Sequence, residues 1–182
     1  EWISNNKDTA GRQIYGNDRY ISQFINEQFP GQIEFNRNLI NVTSIDIEVQ
    51  SDDGFPEPDL ANNPITAITI KNNIDNTYYV WGLGDYNSDQ SYMTTNRVVY
   101  VKCESELQLL HSFITHWSTP SHTPDIITGW NTMFFDIPYL INRTVRLLGE
   151  DVAKRFSPWG MLNRKPFRVL YLEQNSYDIT GI

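Results

Sequence analysis

The sequence predicts an α/β protein in which helices cover a mixed β-sheet, and three observations support this fold class. Residues 42–49 alternate between apolar and polar side chains, as a strand with one buried face does, and three more β-rich stretches follow before residue 104. After Ser105 the apolar spacing changes to a helical period. A short apolar strand at 125–128 lies between two predicted helices, which indicates a crossover connection back into the same sheet.

Turn-forming residues separate the predicted strands. The stretch 52–64 is crowded with Pro, Gly, Asp and Asn, and 84–96 is polar and turn-prone, so both are expected to be loops. Near the C-terminus, residues 165–177 resemble a β-hairpin. The strands expected before that hairpin are 42–49, 65–70, 77–83, 98–103 and 125–128.

Helix-end signals place the helices. Ser105 and Gln108 resemble a capping box. A second helix is expected at 137–148, with Asp136 placed to cap it and Gly149 after its last residue, and a short one at 150–156. The apolar residues that follow Ser105 at helical spacing are Leu107, Leu110, Phe113, Ile114 and Trp117.

The first 41 residues are expected to form a lead-in that is separate from the sheet. Asn17 can cap a helix that runs to about Phe29, and Pro30 and Gly31 end it. We therefore expect two parts, 1–41 and 42–182, of which only the second holds the mixed sheet.

Composition excludes several classes of protein. A chain of 182 residues with 24 aromatic side chains is long enough for one packed domain, and disorder is not expected. The single cysteine, Cys103, excludes an internal disulfide framework and a cysteine-based zinc cluster, and fits a reducing cytosolic setting. No apolar run approaches the length of a membrane span, so no membrane partner is expected.

The net charge of −8 is unevenly distributed. Residues 1–142 carry 7 basic and 18 acidic side chains, whereas residues 143–182 carry 7 basic and 4 acidic ones. The basic part is either an ordinary solvated surface or a local patch that faces phosphates. The patch hypothesis names the cluster Arg164, Lys165 and Arg168.

Two acids in the first strand are the most informative feature. Asp46 and Glu48 alternate with apolar residues, so both carboxylates project from one face with Cα atoms roughly 6.6 Å apart. Asp136, at a strand-to-helix junction, is either a helix cap or a third member of the same site. Three carboxylates would select Mg²⁺ or Mn²⁺ over zinc.

These residues resemble a known family. Asp46-Ile47-Glu48 is similar to the first exonuclease motif of family B DNA polymerases, and Asn131 with Phe135-Asp136 is similar to the second. Gly129-Trp130-Asn131 and Ile137-Pro138-Tyr139 resemble the version found in T-even-like bacteriophages. The resemblance implies a ribonuclease-H-like fold and a proofreading 3′→5′ exonuclease that acts in the cytoplasm of a phage host.

The resemblance also implies roles for single residues. Asp46, Glu48 and Asp136 would hold two Mg²⁺ or Mn²⁺ ions, with Asp46 bridging both. Asn131 and Phe135 would position the substrate strand. Phe55 either packs against bases near the 3′ end or only anchors its loop. The implied partners are a 3′ end of single-stranded DNA and the remainder of a polymerase chain.

A third exonuclease motif, which supplies a fourth acid and a tyrosine, is expected beyond residue 182. We therefore expect residues 1–182 to show little cleavage when isolated. One alternative is a non-cleaving fragment that binds single-stranded DNA or docks onto the rest of a split polymerase. A weaker one is another ribonuclease-H-like nuclease.

Overall fold

The computed structural model describes residues 20–52, 54–87, 89, 97–169 and 172–182. The chain divides between residues 37 and 38 into two units. In the first unit, helix α1 spans Tyr20–Gln28, and the expected cap Asn17 lies outside the described residues. A 3₁₀ turn follows at Arg37–Leu39. Across the described ranges, no helix has the length and apolar character that a membrane crossing requires.

The second unit contains a five-stranded mixed sheet, which confirms the predicted fold class. The spatial order of its strands is β4-β3-β2-β1-β5. Strand β2 pairs antiparallel with both β1 and β3, whereas β4 runs parallel to β3 and β5 runs parallel to β1. The strands are β1 (Val42–Val49), β2 (Ile65–Asn72), β3 (Thr77–Gly82), β4 (Arg97–Lys102) and β5 (Ile126–Thr128).

Strand β1 has one buried face and one open face. Ile45 and Ile47 are buried in the core, and Asp46 and Glu48 alternate with them on the exposed side. Strand β1 lies between β2 and β5 in the sheet, but Asp46 and Glu48 follow Val42–Ser44, the part of β1 that pairs with β5. Their common orientation is what the alternation predicts.

Two main helices pack on the sheet. They are α2 (Glu106–Trp117) and α3 (Asp136–Leu148), and a shorter α4 (Glu150–Ala153) leads into a 3₁₀ turn at Lys154–Phe156. The hydroxyl of Ser105 accepts a hydrogen bond from the backbone N–H of Gln108, as expected. The Gln108 side chain reaches one residue further back and accepts from the backbone N–H of Glu104.

The buried face of α2 differs by one residue from the expected one. Leu107 is half exposed, because it lies at the edge of the apolar stripe, and Leu109 is fully buried in its place. The buried residues of this helix are Leu109, Leu110, Phe113, Ile114 and Trp117.

The predicted hairpin is present and longer than expected. Strands β6 (Leu162–Val169) and β7 (Leu172–Ile179) pair antiparallel as a separate two-stranded sheet. The hydroxyl of Tyr177 donates to the side-chain oxygen of Asn142 at 2.6 Å, which ties the hairpin to α3. The hairpin is thereby held beside the helix that begins at Asp136.

Candidate functional site

The site is built where β5 ends beside β1. Strand β5 pairs only with Val42–Ser44, so the edge of β1 beyond Ser44 has no strand partner on that side. The carboxylate of Asp136, the first residue of α3, accepts a hydrogen bond from the backbone N–H of Ile47 at 3.3 Å. The Asp136 carboxylate therefore lies at the unpaired edge of β1, on the N–H of Ile47, which is the residue between Asp46 and Glu48 in sequence.

This geometry contradicts one of the two interpretations of Asp136, that of a helix cap, and leaves its membership of the site a prediction. The residue before it, Phe135, is the N-cap of α3, and its side chain makes no capping hydrogen bond. The backbone N–H of Ile137 donates instead to the carbonyl of Thr132 at 3.0 Å. The Asp136 side chain is thus directed to the strand, and the interpretation as a helix cap is wrong.

A tight turn makes this approach possible. A Cβ atom on Gly129 would lie 2.5 Å from the carbonyl oxygen of Ile45 and 2.2 Å from the Thr132 hydroxyl, so no larger residue fits there. Asn131 adopts a left-handed conformation with φ of 57°, and its carbonyl accepts from the N–H groups of Phe134 and Phe135. The turn sets the position from which α3 begins.

Asp136 is a buried acid without a compensating cation. It is 3% exposed, and no ion pair to Asp46, Glu48 or Asp136 occurs within the part of the chain that the structure describes. Burial raises the pKa of Asp136 to about 6, the charges of Asp46 and Glu48 add to the rise, and the hydrogen bond from Ile47 opposes it. The charges of Asp46, Glu48 and Asp136 therefore influence one another, and these three side chains are called the acidic group below.

The donor chemistry of this group fits a hard divalent cation. All three side chains offer carboxylate oxygens, which Mg²⁺ and Mn²⁺ prefer, and together they concentrate negative charge that a cation would balance. No set of three or more His, Cys, Asp or Glu residues in the described ranges is gathered closely enough to hold a metal ion. The assignment of Asp46, Glu48 and Asp136 as ligands stays a prediction.

An aromatic groove of about 360 Å³ lies beside the turn. It brings together three predicted substrate-binding residues, Phe55, Asn131 and Phe135, and adds Phe167 from the hairpin. The ring centroids of Phe55 and Phe135 are 4.8 Å apart, and Phe55 is 75% exposed. Flat, accessible rings of this kind suit stacking against nucleic-acid bases.

The predicted basic cluster does not form a single patch. Alternation along β6 places Arg164 and Arg168 on one face and Lys165 on the other. Arg164 pairs with Asp59 at 3.5 Å, and Lys165 pairs with Asp178 at 2.9 Å. Of the three cations, only Arg168 has no ion pair within the described residues, and DNA binding by this cluster stays a prediction.

Comparison with known proteins decides the family. The model of the family described as DNA polymerase family B, exonuclease domain, matches residues 14–175. The chain belongs to this family. Its predicted resemblance is therefore confirmed, and the five-stranded mixed sheet with helices is consistent with the ribonuclease-H-like fold expected for such a domain.

Named relatives of this exonuclease domain include phage enzymes. The chain is 31% identical to the DNA-directed DNA polymerase of Escherichia phage RB69 and 30% identical to that of Enterobacteria phage T4. Both alignments cover 100% of this chain and 22% of the relative, so the chain spans about a fifth of their length. The DNA polymerase catalytic subunit of Elephantid herpesvirus 1 is 35% identical over 55% of this chain and 10% of its own.

Several side-chain contacts that shape the site of this exonuclease domain are not indicated by the sequence pattern. Arg143 and Glu106 form a buried ion pair at 2.7 Å, and Tyr139 bonds both backbone groups of Asn63. The Gln174 side chain donates to the carbonyl of Phe134. Each partner lies at least 37 residues away in sequence, which is why periodicity could not indicate it. Arg143 is one of the seven basic residues of 143–182, and because its side chain is buried it is not part of a basic surface.

Proposed function

We propose that this chain is part of the proofreading 3′→5′ exonuclease domain of a DNA polymerase, and that the complete domain removes 3′-terminal nucleotides by metal-assisted hydrolysis. The observation that carries the proposal is the Asp136 carboxylate at the backbone of β1, between Asp46 and Glu48 and next to an aromatic groove. An uncompensated group of carboxylates, which could bind divalent cations, beside a surface for base stacking suits metal-assisted hydrolysis of the terminal phosphodiester of single-stranded DNA.

The acids would hold divalent cations at the scissile phosphate. Asp46 and Glu48 would bind from the open face of the sheet, and Asp136 from its edge. Bound Mg²⁺ or Mn²⁺ supplies Lewis-acid stabilisation of the charge that develops on the phosphate and lowers the pKa of an attacking water. The carboxylates must be ionised for this role, and an Asp136 pKa of about 6 leaves that group mostly charged at neutral pH.

The groove would position the DNA strand. Phe55 would stack on a base near the 3′ end, and Asn131, whose side chain is exposed on the turn, would contact the strand beside Phe135. The partners are then a single-stranded 3′ end and the further part of a polymerase chain such as the phage relatives possess. The alternative, a fragment of a split polymerase that only binds single-stranded DNA or docks, is not favoured, because the match to the exonuclease-domain family spans the positions of all three acids.

Release of mononucleotides from a 3′-labelled single-stranded oligonucleotide with Mg²⁺ tests the proposal. Residues 1–182 should cleave little, and a chain extended through the third exonuclease motif should degrade the strand. In the extended chain, Asp46→Ala should abolish cleavage and leave DNA binding largely intact, because the acid acts on the transition state.

Asp89→Ala, at an exposed acid outside the site, is the matched control and should cleave normally. An extended chain without metal-dependent cleavage would contradict the proposed function. Vigorous cleavage by residues 1–182 would contradict the need for the third motif and would leave the proposed function standing.

A further inference from the structure

The loop between β1 and β2, residues 50–64, is held in place by side chains of α3. Within its described residues it forms only turns and bends, so its carbonyl groups need partners from elsewhere. Side chains at positions 139, 142, 143 and 146 supply them, and this spacing of three and four residues marks one face of a helix. The acceptors are the carbonyl oxygens of Pro58, Leu60, Ala61, Asn62 and Asn63.

Arg143 is the centre of this arrangement. Its Nη1 donates to the carbonyls of Ala61 at 3.0 Å and Asn62 at 2.9 Å. Its Nε and Nη2 donate to the two carboxylate oxygens of Glu106 at 2.8 and 2.7 Å. The same Glu106 also accepts from the backbone N–H of Ile65, where β2 begins, at 2.7 Å. One buried guanidinium therefore connects α2, α3 and the loop.

Aromatic contacts connect the loop to the start of α3, where Asp136 lies. Phe55, near the start of the loop, packs against Phe135, and Phe135 packs against Tyr139 with ring centroids 5.5 Å apart. Phe135 immediately precedes Asp136. The face of α3 that holds the loop carbonyls thus belongs to the same helix that presents Asp136 to β1, so one rigid element places both features.

We propose that Arg143 is a positioning residue for the groove: by clamping the Ala61 and Asn62 carbonyls to Glu106, it sets where Phe55 lies against the 3′-terminal base. Arg143 itself does not touch the substrate. The inference rests on the proposed function, because Phe55 acts only if the groove receives a DNA end. Lysine cannot replace the arginine, since one ammonium cannot serve two carboxylate oxygens and two carbonyls at once.

A double-mutant cycle on the chain of residues 1–182 tests this role. The probe is a 5′-labelled single-stranded oligonucleotide with 2-aminopurine at its 3′ terminus, so that anisotropy reports affinity and 2-aminopurine fluorescence reports stacking. Phe55→Ala should weaken binding about tenfold through the lost stacking contact. Arg143→Lys should weaken it roughly three- to tenfold and shift the fluorescence towards that of Phe55→Ala.

The double variant distinguishes positioning from a general structural effect. Arg143→Lys combined with Phe55→Ala should bind no more weakly than Phe55→Ala alone, because the arginine acts through that ring. Arg155→Lys is the matched control: Arg155 donates to the Ser118 hydroxyl, away from the loop, and its variant should bind like the original chain. If Arg143→Lys does not fold, Tyr139→Phe takes its place in the cycle. This variant removes only the hydroxyl that holds Asn63, and it should likewise weaken binding without adding to the loss in Phe55→Ala.

Two results would overturn the proposal while leaving the proposed function intact: normal binding by a folded Arg143→Lys, or a loss that adds fully to that of Phe55→Ala. A different pattern marks failure of the proposed function. In that case the original chain, Phe55→Ala and Arg143→Lys all show the same negligible affinity and unchanged fluorescence, and the inference falls with it.

Discussion

Glu106 and Asp136 occupy equivalent local positions and have opposite electrostatic surroundings. Each is the first residue of a main helix, and each carboxylate accepts a hydrogen bond from a backbone N–H of a strand, at Ile65 and Ile47 respectively. Glu106 is paired with a buried arginine, whose pKa rises above its usual value because of that hydrogen bond. Burial raises the pKa of Asp136 to about 6, and among the described residues the charged groups that add to this rise are the acids Asp46 and Glu48.

The contrast separates a structural carboxylate from one suited to chemistry. A buried charge that is paired and fully hydrogen-bonded holds elements together, and the protein is destabilised when one partner is removed. A buried charge without a partner costs stability in the folded chain, and such groups cluster where a protein binds ions or substrates. Four predictions test this distinction, beginning with the largest effect.

Removing the acid of the compensated pair should have the largest effect. Glu106→Ala leaves Arg143 charged and buried without its partner, so the free energy of unfolding should fall by about 3–5 kcal/mol. Urea denaturation at neutral pH measures it. Asp151→Ala, which breaks the exposed pair with Lys154, is the control and should have no measurable effect. Equal losses in the two variants would mean that the Glu106–Arg143 pair is not structural.

Neutralising the uncompensated acid should have the opposite sign. Asp136→Asn removes a buried charge and keeps an oxygen for the N–H of Ile47, so the free energy of unfolding should rise by about 1–3 kcal/mol at pH 7 in EDTA. Thermal and urea denaturation measure it. Asp151→Asn, at an exposed acid, should change nothing. A destabilised Asp136→Asn chain would show that the carboxylate is structurally required.

His116 extends the comparison to a half-buried base. Burial and the neighbouring His122, stacked on it with ring centroids 4.0 Å apart, lower its pKa to about 4, while Asp75 opposes the shift. The unfolded chain therefore takes up a proton first, and stability falls as pH decreases from about 6.5 to 4, by about 1–2 kcal/mol.

The free energy of unfolding, measured across that pH range, should depend less on pH in His116→Phe than in the original chain. The variant keeps an aromatic ring against Tyr79 and Trp81. His111→Gln, at an exposed position of the same helix, is the control and should keep the original slope. If the free energy of unfolding varied with pH in the same way in His116→Phe and in the original chain, the assignment of this pH dependence to His116 would be contradicted.

The smallest effect concerns the cations of the hairpin. Arg168 has no ion pair among the described residues, whereas Lys165 is paired with Asp178, so Arg168 should contribute more to phosphate contacts. Arg168→Glu should weaken binding of single-stranded DNA and reduce the slope of log affinity against log salt by about 1. Lys165→Glu should change the slope less. Equal slopes in both variants and the original chain would indicate that β6 is ordinary surface.

Local interactions explain what the sequence predicts correctly. Alternation in β1 predicts that Asp46 and Glu48 share an open face, and the Ser105 cap lies within three residues of its partner. The hairpin and the crossover to β5 follow from turn signals and chain order. All of these depend on backbone geometry over a few residues, which composition and spacing report directly.

The sequence by itself determined the strands, the helices and the acids that resemble an exonuclease motif. Only the tertiary structure decided which charges are compensated. Arg143 and Asp136 both belong to helix α3, yet one meets Glu106, 37 residues away, and the other meets the backbone of Ile47, 89 residues away. Periodicity shows which face of an element is buried and not what packs against it. Whether a buried charge is paired or isolated therefore emerges only when distant elements come together.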